Sequence, residues 1–218
     1  MSFVVRAATS QPPVAPPGLV SGVGLLFLLL CTGVSFAGGI DHIVSYDNSG
    51  IWKRSNQQVL YYGLIGGEIA GAVWLGGEDR LGKTFWQAID SSALGGVANE
   101  ALKHIFTRAR PTQTSDPNRW FQGGGHYSFP SGEVTAVTAI VTPFVLEYAR
   151  DYPVAYALEL LPAYQAVARV KVHAHWQTDV LASFALGTTT GYLAQSRNSP
   201  VILSVLPHGF MVGLRAQF

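Results

Sequence analysis

Eight residues in three short clusters carry the side chains with which this chain could do chemistry. They are Lys103 and Arg110, then Ser131, Gly132 and Glu133, then Arg169, His175 and Asp179. Together they supply three cations, a turn of small residues, and an imidazole with a carboxylate partner. A phosphoryl-transfer site needs these parts, because it works mainly by positioning the group and stabilising charge on its oxygens. The clusters therefore favour a site that binds and transfers a phosphoryl group.

The first cluster falls on a predicted helix over residues 93–108, which Pro111 is expected to end. Lys103 and Arg110 are seven residues apart, so two helical turns put them on one face. The opposite face of this helix carries an apolar stripe of Leu94, Val97, Ala101 and Ile105. The alternative interpretation is a solvated basic face that also includes His104 and Arg108.

The second cluster precedes an apolar helix predicted over residues 134–148. Ser131 is a suitable N-cap, and the N–H groups at the start of such a helix bind phosphate oxygens. Gly132 lets an anion approach the backbone closely. The alternative is an ordinary helix cap with no ligand.

The third cluster combines an arginine with a histidine and an aspartate. Asp179 follows His175 by four residues, which on a helix would place the carboxylate beside the imidazole. The carboxylate can then hold one ring nitrogen as a donor and leave the other as a nucleophile. A histidine with a purely structural role is the alternative, although the neighbouring Arg169 argues for an anion site.

The rest of the chain predicts an all-α fold. Hydrophobic residues make up 48% of the 218 residues and charged residues only 12%. Helices are predicted at residues 59–75, 93–108, 134–148, 154–167 and 179–192, with a loop over 117–129 and a small C-terminal β-hairpin over 201–218. The predicted helices are short or interrupted, which favours a compact helical bundle, while a polytopic membrane enzyme stays open as the alternative.

The N-terminal segment has the pattern of a targeting sequence. Residues 7–40 carry no charge, and an apolar run at 25–30 is followed by a small-x-small motif at 35–37. We expect residues 1–37 to be a cleaved signal peptide or a retained membrane anchor, and 38–218 to form the exported domain. This predicts a bacterial cell-envelope location, periplasmic or membrane-associated.

Charge and cysteine content exclude several classes of function. The net charge of +1 gives no global field that would recruit nucleic acid. Cys31 is the only cysteine, so neither a disulfide framework nor a cysteine-based metal site is possible. We expect no cofactor, and the expected partner is a phosphorylated lipid or small-molecule substrate.

In order, the three clusters resemble the signature of the type 2 phosphatidic acid phosphatase (PAP2) superfamily, which also includes bacterial class A acid phosphatases and vanadium haloperoxidases. The matching residues run from Lys103 to Arg110-Pro111, through Pro130-Ser131-Gly132-Glu133, and from Ala168-Arg169 through His175 to Asp179. The resemblance implies a helical bundle with a phosphate site at one end and no metal requirement.

The resemblance also assigns roles to the residues. Lys103, Arg110 and Arg169 would hold the phosphate oxygens, assisted by Ser131 and Gly132. His175 would attack phosphorus to form a phosphohistidine, with Asp179 orienting its ring.

Glu133 departs from the family pattern, because a histidine that protonates the leaving group usually stands there. Cations around Glu133 should lower its pKa and disfavour a protonated acid, whereas a bound phosphate dianion would act in the opposite sense. Three roles therefore stay open: Glu133 is an acid only in the substrate complex, His126 replaces it, or Glu133 is a structural partner of a basic residue.

Three functions follow from these observations. The first is a phosphatase of the cell envelope acting on a lipid phosphate or a small organic phosphate. The second is a catalytically impaired protein of the same fold that binds phosphate or a lipid headgroup, which the glutamate at position 133 motivates. The third, which the resemblance alone implies, is a haloperoxidase holding vanadate on His175. Substrate identity does not follow from the sequence, since Trp120, Phe121 and Tyr127 would either line an acyl groove or pin the central loop.

Overall fold

The computed structural model describes residues 37–197, and within them the fold is entirely helical. Five main helices follow one another: α1 (Arg54–Leu75), α2 (Arg80–Phe106), α3 (Gly132–Tyr148), α4 (Leu160–Lys171) and α5 (Gln177–Gln195). A short helical turn at Ala37–Ile40 and two 3₁₀ segments, Gly50–Trp52 and Pro153–Glu159, connect or precede them. The all-α prediction is confirmed, while the predicted C-terminal hairpin and most of the N-terminal targeting segment lie outside the described residues.

Helix α3 is central and packs against α2 and α5. Its buried side includes Val134, Thr135, Val137, Thr138 and Val141. Thr138 donates its hydroxyl to the Val134 carbonyl at 2.8 Å, so a polar group is satisfied within the helix itself. Because these side chains are small or β-branched, the neighbouring helices can approach α3 closely.

Gly187 on α5 shows how close this approach is. A Cβ atom at this position would lie 2.7 Å from the Thr135 carbonyl oxygen and 2.9 Å from the Ala139 nitrogen. Real Cβ atoms do not tolerate such contacts, so the α3–α5 packing requires glycine here. Helix α3, which begins at Gly132, and helix α5, which carries Asp179, are therefore packed at backbone distance.

The apolar stripe identified on the helix predicted over residues 93–108 does not face the core. Val97 is 72% exposed and Ile105 is 60% exposed. In the same part of α2, the buried positions are instead small or polar, as at Ser91, Gly95 and Asn99. These residues face α3 and α5, where the close packing excludes large side chains.

Two helix boundaries also differ from the predictions. Helix α2 is longer at its start and ends at Phe106, with Thr107 in the left-handed region as its C-cap. Pro111 therefore does not end this helix. The helix predicted over residues 154–167 is divided into the 3₁₀ segment Pro153–Glu159 and the α-helix α4.

The lengths and hydropathy of these helices bear on the membrane alternative. In the described part of the chain, no helix is both long enough and uniformly apolar enough to cross a bilayer.

Candidate active site

Six of the eight predicted site residues line a single cavity of about 610 Å³ between α1, α2 and the start of α3. They are Lys103, Arg110, Gly132, Glu133, Arg169 and His175. The other two, Ser131 and Asp179, are fully buried behind it. The fold thus gathers side chains from three distant segments around one imidazole, as the sequence clusters predict.

His175 lies in the loop before α5 and is only 4% exposed. Its Nδ1 lies 2.7 Å from the carbonyl oxygen of Ser128. A carbonyl can only accept, so Nδ1 must carry the proton and Nε2 is left with a lone pair. Burial lowers the pKa of His175 to about 4, and the charges of Arg169 and Arg110 act in the same direction. The ring is therefore neutral at physiological pH, as a nucleophile requires.

Asp179 does not hold the imidazole in the way predicted for a helical pair. His175 precedes α5, and its Nδ1 is 3.8 Å from Asp179 Oδ2. The same oxygen accepts hydrogen bonds from the Ser128 hydroxyl at 2.5 Å and from the Trp176 N–H at 2.8 Å. Asp179 thus caps α5 and fixes Ser128, whose carbonyl in turn orients the histidine.

Arg108 is a further partner of Asp179, and its role was not predicted. It is fully buried, not part of a solvated basic face. Its guanidinium contacts Asp179 at 2.5 Å and Asp41 at 2.6 Å, and it lies over the Trp120 ring at 4.2 Å. Burial alone would raise the pKa of Asp179, but His175, Arg108 and the Ser128 hydroxyl lower it below its ordinary value.

Lys103 and Arg110 reach the cavity from different elements. Lys103 lies in the last turn of α2, whereas Arg110 follows the helix in the loop, so the predicted shared helical face is wrong. Arg110 is held by the carbonyl oxygens of Tyr127 at 3.2 Å and Ala174 at 3.4 Å. The left-handed turn at Thr107 redirects the chain, which is why helical spacing did not describe the pair.

Gly132 accommodates Lys103 as well as the start of α3. A Cβ at Gly132 would lie 3.2 Å from Lys103 Nζ, which is tighter than most real contacts. Ser131 is the N-cap residue, but its side chain makes no capping bond, and its N–H donates to Ser183 at 2.7 Å. Its Oγ has no hydrogen-bond partner among the described residues.

Arg169 is 7% exposed and is fixed by Gln57, which accepts from Nη1 at 3.1 Å. Burial lowers the pKa of Arg169 to about 10, so it stays cationic at neutral pH. Burial also lowers the pKa of Arg110. Both guanidiniums are thus partly desolvated cations, which an incoming anion would stabilise.

Glu133 is bound on several sides by groups that stabilise its ionised form. Both of its oxygens accept from Arg54, one at 2.7 Å, and Gln165 donates to Oε2 at 2.7 Å. Arg169 Nε lies 3.8 Å from the same oxygen. Burial acts to raise the pKa of Glu133, but the Arg54 hydrogen bonds and the nearby positive charges hold it below the ordinary value.

Arg54 is the site residue that sequence analysis missed altogether. It is the first residue of α1 and lies 79 positions before its partner. No spacing rule connects residues so distant. The available signal was Glu133 itself, since a structural pairing with a basic residue was one of the roles left open for it, but nothing in the sequence pointed to Arg54.

The aromatic residues of the central loop pin that loop. Trp120 packs edge-on against Phe106 and Phe129, with centroids 6.0 and 5.2 Å away. Tyr127 contacts the His104 ring at 5.0 Å. None of these residues, nor His126, is among those that line the cavity.

Comparison with known protein families places this chain. A family model described as "PAP2 superfamily" matches residues 84–198, which is more than half of the chain. This chain belongs to the PAP2 superfamily. The matched region includes all three clusters and the helices α3 to α5, although Arg54 and the whole of α1 lie before it.

Individual proteins resemble this PAP2 chain over different spans. A lipid A 1-phosphatase of Porphyromonas gingivalis is 31% identical over 107 residues, which cover 49% of this chain but only 22% of that protein. The chain therefore spans about a fifth of that relative's length.

Solved structures give a second comparison. A PAP2-type phosphatidylglycerolphosphate phosphatase of Bacillus subtilis has a TM-score of 0.55 at 16% identity, covering 80% of this chain and 93% of that one. That likeness confirms the helical fold. The structure of Aquifex aeolicus LpxE matches with a TM-score of 0.45 at 17% identity, over 79% of this chain and 87% of that one.

Proposed function

We propose that this PAP2 chain is a phosphatase that hydrolyses a lipid phosphomonoester at the bacterial cell envelope. The observation that carries the proposal is the neutral imidazole of His175, held through Nδ1 in a cavity lined by Lys103, Arg110 and Arg169. The named activities of the relatives, a lipid A phosphatase and a phosphatidylglycerolphosphate phosphatase, support a lipid substrate.

The proposed reaction has two steps. The Nε2 lone pair of His175 attacks phosphorus while the bond to the ester oxygen breaks, giving a phosphohistidine and an alkoxide that takes a proton from water. A water molecule then attacks phosphorus, the N–P bond breaks, and inorganic phosphate leaves. Lys103, Arg110 and Arg169 offset the charge on the phosphoryl oxygens, so the proposal requires no metal ion and no other cofactor.

Among the three roles left open for Glu133, we propose the structural one. Its contacts with Arg54 and Gln165 favour the ionised carboxylate, which has no proton to give. Its function is then to hold Arg54 and Arg169 in place beside the phosphate. Phosphate binding would involve the backbone of Gly132, while Ser131 and Asp179 support the site from behind.

A catalytically impaired phosphate-binding protein is the second candidate. The observation that favours this candidate is the ion pair between Arg54 and Glu133, because the pairing removes Glu133 as a proton donor. The described residues lining the cavity also include no second histidine. Under this alternative, phosphate or vanadate would bind without turnover.

Phosphate release from a panel of substrates tests the proposed function. The panel compares phosphatidic acid and phosphorylated glycolipids in detergent micelles with soluble phosphomonoesters, each with and without EDTA or vanadate. We expect release from lipid phosphates that vanadate inhibits, that EDTA leaves unchanged, and that His175→Ala abolishes. Vanadate binding without release from any substrate would favour the binding protein and contradict the phosphatase.

A further inference from the structure

The cavity continues well beyond the cations, along the seam between α1 and α2. Its distal part is lined by apolar or small residues, namely Ile65, Ile69, Ile89, Ala93 and Gly96. On α2, Ser92 precedes Lys103 by eleven residues, so the two Cα atoms are about 16 Å apart along the helix axis. The site is thus an elongated groove with a cationic end and an apolar end.

A buried carboxyl group, Glu68, interrupts the apolar end. It is 5% exposed, and its Oε1 accepts a hydrogen bond from the Ser92 hydroxyl at 3.0 Å. Its Oε2 is buried and has no hydrogen-bond partner in the described residues. Burial raises the pKa of Glu68 to about 7, so a large share of the carboxyl is protonated near neutral pH.

Glu68 also borders a second cavity. A side cavity of about 270 Å³ is lined by Leu64, Phe85, Ile140, Phe144 and other apolar residues, and Glu68 is the residue that it shares with the main groove. It is the one ionisable residue among those lining the side cavity. A ligand chain in either cavity would therefore lie beside this residue.

A purely structural role does not explain this residue. The contact with Ser92 uses one oxygen and joins α1 to α2, but the second oxygen is desolvated without compensation. A leucine would fill the same apolar surroundings without that penalty. The unsatisfied oxygen is consistent with a group that a ligand completes.

We propose that Glu68 and Ser92 form a binding subsite for a hydroxyl group part-way along the aliphatic chain of the substrate. The inference rests on the proposed function, because the phosphate must first be anchored at the cationic end. A hydroxyl both donates and accepts, which matches a carboxyl group that carries a proton. An ammonium group would bring a net charge into an apolar groove and fits less well.

Binding of long-chain phosphonates tests the subsite without requiring turnover. The probes are hexadecylphosphonate and isomers with one hydroxyl at successive carbons, measured by calorimetry in micelles of fixed composition. For the wild type, we expect one hydroxyl position to tighten binding about tenfold over the unsubstituted chain. Glu68→Leu should remove that preference, and Glu68→Gln should retain part of it. Glu78→Gln, at an exposed glutamate, is the matched control and should behave as the wild type.

The possible outcomes separate the subsite from the proposed function. Binding of all phosphonates by the wild type with no positional preference would overturn the subsite alone, as would a preference that survives in Glu68→Leu. A stronger preference for an aminated chain would overturn the choice of hydroxyl. No binding of any phosphonate would overturn the subsite together with the lipid-phosphate function.

Discussion

The protonation state of His175 decides whether its imidazole can act as a nucleophile. The Ser128 carbonyl fixes the Nδ1 proton, and the buried position with two nearby guanidiniums opposes a second proton on Nε2. The Asp179 carboxylate favours that second proton, but it lies 3.8 Å from the ring and its charge is shared with Arg108. Together these contacts leave the His175 ring neutral, with the lone pair on Nε2 directed to the cavity.

Histidine titration followed by NMR checks this balance. With ¹³C-labelled histidine, and His175→Gln to assign the signal, we expect the His175 resonance to stay constant from pH 8 to pH 5.5 and to shift only near pH 4. A titration midpoint close to the ordinary pKa of 6.5 would contradict a neutral His175 ring. Because the unfolded ring binds its proton at a higher pH than the folded one, His175 should also lower stability as pH falls from 6.5 towards 4.

The role of Glu133 is tested by leaving groups of different basicity. If Glu133 only positions Arg54 and Arg169, Glu133→Gln should lower kcat/KM by a similar factor for aryl phosphates with good and poor leaving groups. A general acid contributes about 10²–10⁴-fold, and its loss is felt most when the leaving group is a poor one. A rate loss that grows with the pKa of the leaving group would therefore show that Glu133 donates a proton.

At the scale of the elements, one buried arginine joins three segments to the site. Arg108 follows α2, Asp179 begins α5, and Asp41 comes from the segment before α1. Asp41 also accepts hydrogen bonds from the N–H and the hydroxyl of Thr178. All of these charges are inaccessible to water, so the network holds only while every partner is present.

Removing one partner of this network should therefore destabilise the fold. We expect Asp41→Ala to lower the free energy of unfolding by about 3–5 kcal/mol, because it leaves Arg108 buried with an incomplete set of partners. The matched control is Asp151→Ala, which breaks a solvent-exposed ion pair with Arg80 and should change stability by less than about 1 kcal/mol. Equal effects of the two substitutions in urea unfolding would show that the buried network is not stabilising.

The contact between α3 and α5 gives a second prediction at this scale. Gly187→Ala places a methyl group against the backbone of α3, so we expect a loss of about 1–3 kcal/mol in unfolding free energy. Gly66→Ala on α1 meets no atom within 4 Å and should instead stabilise by up to about 1 kcal/mol through helix propensity. Thermal unfolding of the two variants in parallel measures both effects, and destabilisation of equal size would contradict the packing argument.

At the scale of the whole molecule, the sequence predicted the parts of the site better than their geometry. The three clusters identified side chains that converge on one cavity, because their combination and order resemble a phosphate-binding signature although each cluster alone also fits a structural role. Helical periodicity failed for Lys103 with Arg110 and for His175 with Asp179, since a left-handed turn and a helix start intervene. The contacts of Arg54 depend on tertiary packing, which no local spacing encodes.

The outward-facing stripe on α2 has a similar explanation. Apolar periodicity shows which face is hydrophobic, but it does not show whether that face meets another helix. The contacts of α2 with α3 and α5 include small and polar residues such as Ser91, Gly95 and Asn99, while Val97 and Ile105 on its apolar stripe are exposed. Hydropathy alone therefore does not locate the buried side of this helix.

The most direct test of the central claim is to trap the covalent intermediate. The protein is mixed with a substrate that it hydrolyses, quenched in alkali within one turnover, and digested for mass spectrometry. We expect a phosphoryl group on His175, and no such adduct in Arg169→Ala or in His175→Gln. Rapid phosphate release with no modified His175 peptide, under conditions that preserve phosphohistidine, would contradict the claim that this imidazole attacks phosphorus.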